Sequence, residues 1–306
     1  MVWIIIGSIL VLLLCLLFLF EWYVYKRVFY SPHKGQNSEY NAVRDIHAED
    51  LKERATKLVN ELMDIPSEDL YTTSYDKLKL HAYLYKSEGS KEFVVFFHGF
   101  RRTARRSFAG RAMDCLKEHK NVILVDHRAH GLSEGHELTF GKKEQHDVVS
   151  WVNFIQEKFR KDSKITLVGV SMGATAVLGA SDKIDESIKI IADSPYVSIR
   201  DVIKTTMAII KMNPKVIYPI VALASILYCH STLEHDVSNN VRKSNNRILI
   251  IHGTQDNLVP YKDTQELSLL NKNHVKYELF EGVGHGLAYL RETEKYKKVF
   301  FDFINN

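Results

Sequence analysis

The chain has 306 residues, 45% of them hydrophobic and 25% charged, an ordinary globular composition with length for one or two domains. Its 41 basic and 37 acidic residues leave a formal net charge of +4, and no Lys/Arg run is long enough to track a phosphate backbone, so nothing points to a nucleic-acid partner. Three scattered cysteines, Cys15, Cys115 and Cys229, form no C-x-x-C pair and no disulfide framework, which fits a reducing compartment.

Val2 to Phe20 carries no charge, and roughly 20 apolar residues suffice to cross a bilayer as a helix. Trp22, Tyr23 and Tyr25 follow as an interfacial aromatic belt would. Residues 1–22 are therefore expected to be a transmembrane anchor. A signal peptide lacks its basic leader and cleavage site here, and a core helix is rarely apolar on every face for so long. Lys26, Arg27, Lys34 and Arg44 all follow the run, which favours a cytoplasmic body. Residues 23–67 are expected to be a linker with an edge helix over 41–64, where Ala55, Leu58, Val59, Leu62 and Met63 recur at three and four and Pro66 ends the pattern.

From residue 68 strands and helices alternate. Residues 71–75 and 78–85 read as an antiparallel hairpin. Buried apolar runs follow at 93–97, 121–125, 165–170, 188–192, 247–251 and 275–280. Helical patterns lie near 104–119, 143–161, 172–182, 261–271 and 291–305. This alternation predicts a mostly parallel sheet with helices on both faces and chemistry at the strands' carboxyl ends. Residues 197–246 are too long for a simple crossover. Their apolar middle, interrupted at Pro214 and Pro219, is expected to be a helical cap; a second membrane segment is disfavoured by Lys211, Lys215 and the two prolines.

Gly169-Val170-Ser171-Met172-Gly173 follows a buried strand and precedes a helix, the setting a nucleophilic serine requires. Glycines two residues either side relieve the crowding of that turn, and the helix N-terminus favours a developing anion. A serine needs a base and the base an orienting acid. His285, in Gly282-Val283-Gly284-His285-Gly286, is the expected base. Asp256, in the turn after the strand RILII, is the expected acid and is preferred to Asp193, because its turn leads directly into a helix. An oxyanion needs two donors, expected from the backbone N–H of Met172 and of Phe100. Arg101, Arg102, Arg105, Arg106 and Arg111 follow the Phe100 loop. They are read either as a solvated helix face or, for Arg101 and Arg102, as holders of an anionic substrate group.

The pieces His98-Gly99-Phe100, the segment 126–135, Gly169 to Ala174, Asp193 to Tyr196, 252–260 and 282–286 occur together in an order that resembles the α/β-hydrolase superfamily from about residue 68 to the end. The chain looks most like a membrane-anchored bacterial esterase-like branch, and somewhat like serine aminopeptidases and acyl-lipid hydrolases. The resemblance implies the α/β-hydrolase fold: an eight-stranded mostly parallel sheet in a domain spanning 68–306, with a small helical cap (197–246) after strand 6. It implies no metal or cofactor, and structural roles for Asp126, Arg128, His130 and Gly131. The arginine cluster departs from the pattern. The expected activity is hydrolysis of a hydrophobic acyl ester, with a small-molecule acyl substrate and the bilayer as partners. An amidase or peptidase using the same residues, and an anchored binding module, remain as alternatives.

Overall fold

A computed structural model describes residues 1–32, 51–159 and 162–306. It contains one eight-stranded sheet ordered β1-β2-β4-β3-β5-β6-β7-β8, with β1 (Glu68–Thr73), β2 (Lys79–Tyr85), β3 (Glu92–Phe97), β4 (Asn121–Asp126), β5 (Lys164–Val170), β6 (Lys189–Asp193), β7 (Ile248–Gly253) and β8 (Val275–Phe280). β2 runs antiparallel to both β1 and β4, and every other pairing is parallel. This is the α/β-hydrolase fold, as expected. The central strands are apolar on both sides because each face is covered: Val95 and Phe97 of β3 point into one core, and Val94 and Phe96 into the other.

On one face lie α4 (Glu144–Lys158), α5 (Met172–Ala180), α8 (Ser238–Lys243) and α9 (Tyr261–Leu269). α4 shows why it lies there: Val148, Trp151, Val152 and Ile155 repeat at i, i+3, i+4 and i+7 and are all buried. Each such side chain stabilises the fold by about 1.5–3 kcal/mol. On the other face lie α2 (Lys52–Met63), α3 (Ala104–Lys117), α10 (Ala288–Arg291) and α11 (Thr293–Asn305).

Three local expectations shift. The first hairpin strand occupies Glu68–Thr73 and not 71–75, because the Ser74 hydroxyl bonds Asp76 and accepts from the Leu78 amide, pulling 74–77 into a turn. The early helix begins at Lys52, and the expected stretch 41–50, with Lys34 and Arg44, lies outside the described residues. Pro219 does not interrupt the cap. Pro214 is the first residue of a continuous α7 (Pro214–Cys229), where its fixed φ suits a helix start, and Pro219 sits one turn further inside.

α6 (Ile199–Ile209) and α7 lie between β6 and β7 and form the cap. α1 (Val2–Val28) is a single helix whose apolar window has a mean hydropathy of 3.1 and is wholly exposed. Its far end is knitted into the body. Phe29 is fully buried. Ser31 N–H donates to His136 O, Leu138 N–H donates to Phe29 O, and Tyr30 bridges to Glu137. Val24, Tyr25 and Phe29 share a third apolar cluster with cap residues Ile203, Met207, Val221 and Ala224, and with Met172.

Candidate active site

Four loops at the carboxyl ends of β3, β5, β7 and β8 meet at one point. Ser171 caps α5 with φ 55° and ψ −117°, a strained conformation for a residue with a side chain. Its neighbours must be glycines. A Cβ on Gly173 would stand 1.9 Å from Phe97 O, and one on Gly169 2.3 Å from Gly173 O. The turn is fixed by Ser171 N–H donating to Asp193 O at 2.9 Å.

His285 Nε2 lies 2.8 Å from Ser171 Oγ, and His285 Nδ1 lies 2.6 Å from Asp256 Oδ2. A carboxylate only accepts, so Nδ1 carries the proton and Nε2 is left to accept from the serine hydroxyl. The loops bearing acid and base are packed on each other: Gln255 N–H donates to Val283 O at 2.9 Å, and a Cβ on Gly253 would lie 2.1 Å from that same oxygen. Gly286, at φ +66°, turns the chain back and donates to Ser194 Oγ.

Asp256 has no exposed side-chain surface. Its Oδ1 accepts from the Leu258 and Val259 amides at 2.9 and 2.8 Å. Its Oδ2 accepts from His285 and also from His252 Nε2 at 3.0 Å. Burial alone pushes its pKa up, but hydrogen bonds from His252 and His285, the charge of His285 and the Val259 amide together hold it well below the usual carboxylate range. His252 is the residue that sequence reasoning missed. It is fully buried, and Thr264 Oγ1 lies 2.8 Å from its Nδ1. The available signal was a lone polar side chain ending the otherwise apolar strand β7, four residues before Asp256.

Asp193, the competing acid, is buried on another partner. Its Oδ2 pairs with Arg111 Nη2 at 2.8 Å, and its Oδ1 accepts from Ser194. Among the described residues, the Phe100 and Met172 amides have no hydrogen-bond acceptor. The loop carrying Phe100 lies against the nucleophile: a Cβ on Gly99 would stand 3.4 Å from Ser171 Cβ. Phe100 stacks on Phe140 at 4.9 Å.

The arginines are divided. Arg101, at φ 52°, turns back and donates from Nη2 to Arg27 O at 2.8 Å and Tyr30 O at 3.3 Å, capping the end of α1. Arg102 is half-buried beside Gly99, with its Cγ 3.8 Å from where a Cβ would be. Arg105 stacks on Tyr83 and bonds Tyr85 and Ser67. Asp126 bonds His81 and the Leu132 amide. A Cβ on Gly131 would lie 2.1 Å from Asp126 Oδ2. Arg128 pairs with Asp76 and Asp147, and His130 Nδ1 bonds Arg128 O. Among the described residues no group of three or more His, Cys, Asp or Glu is arranged to hold a metal ion.

Residues 88–228 match the family described as serine aminopeptidase, S33. That span includes Phe100 and Ser171 and stops before Asp256 and His285. A curated relative, the uncharacterized protein YqkD of Bacillus subtilis (strain 168), is 24% identical over 192 residues; these are 61% of this chain and 62% of that protein's length. The solved esterase Pf2001 of Pyrococcus furiosus superposes with a TM-score of 0.68 at 25% identity, over 80% of this chain and 92% of that one. Est1E from Butyrivibrio proteoclasticus, solved with ferulic acid bound, gives a TM-score of 0.60 at 23% identity, over 78% and 100% of the two chains. The α/β hydrolase GrgF from Penicillium sp. sh18 gives 0.65 at 16% identity, over 78% and 98%. Together these likenesses agree on the fold.

Proposed function

The chain is an α/β-hydrolase by fold, and from that premise we propose that it is a serine hydrolase cleaving a carboxylic ester with an apolar acyl group. Ser171 Oγ attacks the ester carbonyl as its proton passes to His285 Nε2. The Phe100 and Met172 amides donate to the oxyanion of the tetrahedral intermediate. His285 returns the proton to the departing alkoxide, and an acyl-enzyme remains on Ser171. Water then gives a proton to His285 and its oxygen to the acyl carbon; collapse releases the acid and restores the serine. Asp256 keeps the imidazole in the tautomer both halves need.

One observation carries this reading: the unbroken chain Ser171 Oγ, His285 Nε2, His285 Nδ1, Asp256 Oδ2, with links of 2.8 and 2.6 Å. An apolar acyl group is supported by the cluster in which Met172 and Tyr196 pack with Phe100 and the cap. The full-length chain in detergent micelles is to be labelled with a fluorophosphonate probe and assayed on p-nitrophenyl butyrate. Ser171→Ala should abolish labelling and lower kcat by about 10⁵–10⁶. Undiminished turnover by the variant refutes the assignment.

A second reading, amide or peptide hydrolysis, is favoured by the family description over residues 88–228. A panel of short acyl esters against aminoacyl amides decides between them. The membrane reading belongs here too. Removing α1 as a signal sequence would strip away Val24 and Tyr25, both buried against the body, so a retained anchor is the better account. The basic Lys26 and Arg27 in its last turn favour a cytoplasmic body. A C-terminal alkaline phosphatase fusion with high activity would overturn that orientation.

A further inference from the structure

The cap helix α7 is apolar on both of its sides. Val221, Ala224, Ser225 and Cys229 are buried against the body. Val216, Pro219, Leu223, Ile226 and Leu227 recur at three, four and seven on the opposite side and are exposed, Val216 by 58% and Ile226 by 50%. Ile209, Ile210 and Met212, at the end of α6 and in the turn leading into α7, are bare as well. A helix hydrophobic all round needs an apolar covering on each side, and a continuous patch of this kind marks an interaction surface.

The position of α7 says what covers it. The Tyr228 hydroxyl donates to Phe18 O, inside the uncharged run of α1, and its ring packs on Trp22 at 5.6 Å and Tyr25 at 5.0 Å. α1 has 27 residues, about 40 Å of helix against a hydrocarbon core of about 30 Å. Phe18 therefore falls within or at the edge of that core, and α7 is held at the same level. Lys211 and Lys215, both exposed, flank the α6–α7 turn where lipid phosphates would meet them.

We propose that the bare side of α7 and the end of α6 lie in the same bilayer leaflet edge as the end of α1. The cap is then a membrane-seated hairpin, and the catalytic site receives acyl esters laterally from the lipid phase. Met172 and Phe100, the two oxyanion donors, pack in the apolar cluster this hairpin shares with α1. Apolar side chains therefore fill the space between the hairpin and the residues beside Ser171. The substrate class rests on the hydrolase reading above, whereas the seating of the hairpin does not.

The test uses the full-length chain in phosphatidylcholine–phosphatidylglycerol vesicles. An NBD fluorophore is placed at Ile226→Cys, or at Glu88→Cys as a control in the exposed loop before β3, at the amino end of the parallel strands and away from the cap, in a Cys15→Ser background. Quenching of the 226 label by doxyl lipids, with the 88 label unquenched, is expected. An unquenched 226 label overturns the proposal, and a 226-to-226 crosslink between chains assigns the surface to a second copy instead. In the Ile226→Glu, Leu227→Glu variant, the ratio of turnover on a bilayer-dissolved long-chain ester to that on a soluble short ester should fall at least about tenfold. An unchanged ratio overturns lateral access. If the wild-type chain turns over neither ester, the hydrolase reading fails, and the quenching result still decides the seating of the hairpin.

Discussion

Replacing Asp256 with Asn leaves the shape of the site and removes its logic. Four donors converge on the two carboxylate oxygens: the Leu258 and Val259 amides, His252 Nε2 and His285 Nδ1. An Asn side chain offers one oxygen, so either the amide pair or the imidazole pair faces an NH₂ group. The two amides cannot change their protons. The oxygen therefore turns to them, and the NH₂ drives His285 into the tautomer with its proton on Nε2. That nitrogen, 2.8 Å from Ser171 Oγ, can no longer accept the serine proton. The expected loss in kcat is about 10³–10⁴, or about 4–5.5 kcal/mol of transition-state stabilisation. Asp193→Asn should behave oppositely. It leaves the buried guanidinium of Arg111 without its ionic partner, costing about 3–5 kcal/mol of stability, while kcat per folded molecule stays within a few-fold of wild type. Active-site titration with the fluorophosphonate probe, thermal unfolding and kcat on p-nitrophenyl butyrate separate the two. The reasoning fails if Asp256→Asn keeps more than a tenth of the wild-type kcat, or if Asp193→Asn is the slower of the two per titrated site.

His127 is buried, and among the described residues neither of its ring nitrogens has a hydrogen-bond partner; burial, then His130 and Arg128, push its pKa from 6.5 down to about 3. The unfolded chain therefore binds a proton that the folded chain refuses. Its contribution is intact above pH 6.5 and is lost as the pH falls toward 3. His127→Phe should flatten the acid loss of stability in that window by up to about 1.4 kcal/mol per pH unit, measured as denaturant midpoints; an unchanged slope counts against it. Phe29→Ala should cost about 3–5 kcal/mol for a fully buried ring, read from thermal unfolding in micelles; a Tm equal to wild type would place Phe29 outside the fold. Gly173→Ala drives a methyl onto Phe97 O, and the elbow can relieve this only by moving Ser171. It should abolish probe labelling, and normal labelling with a normal Tm would contradict so tight a turn.

Much of this was legible because the signals are local and periodic. The strand β5, the two glycines around Ser171 and the buried stripe of α4 each announce themselves within a dozen residues. The pairing of His285 with Asp256 over Asp193 was readable only as a preference, since both acids end parallel strands. What decides between them is the Arg111 side chain reaching Asp193 across 82 residues of sequence. His252 was hidden because one polar residue at a strand end is commonplace, and its meaning depends on where Asp256 folds back. Pro219 misled because proline's cost in a helix is a local rule. Here the helix starts only five residues earlier and is held on one side by the body and on another by α1. Arg101 reads from sequence as either a solvated helix face or a holder of an anionic group, because sequence cannot show that its backbone turns left-handed and aims the guanidinium at the carbonyls of Arg27 and Tyr30.

That clasp between Arg101 and the end of α1, with Phe29 sealed beneath it, joins α1 to the body as a strut and not as a leash. A body hung on loose chain would tumble and present every side to its surroundings in turn. This one is held at a set angle to α1 by these contacts, so any tilt of that helix is felt one residue away from Phe100.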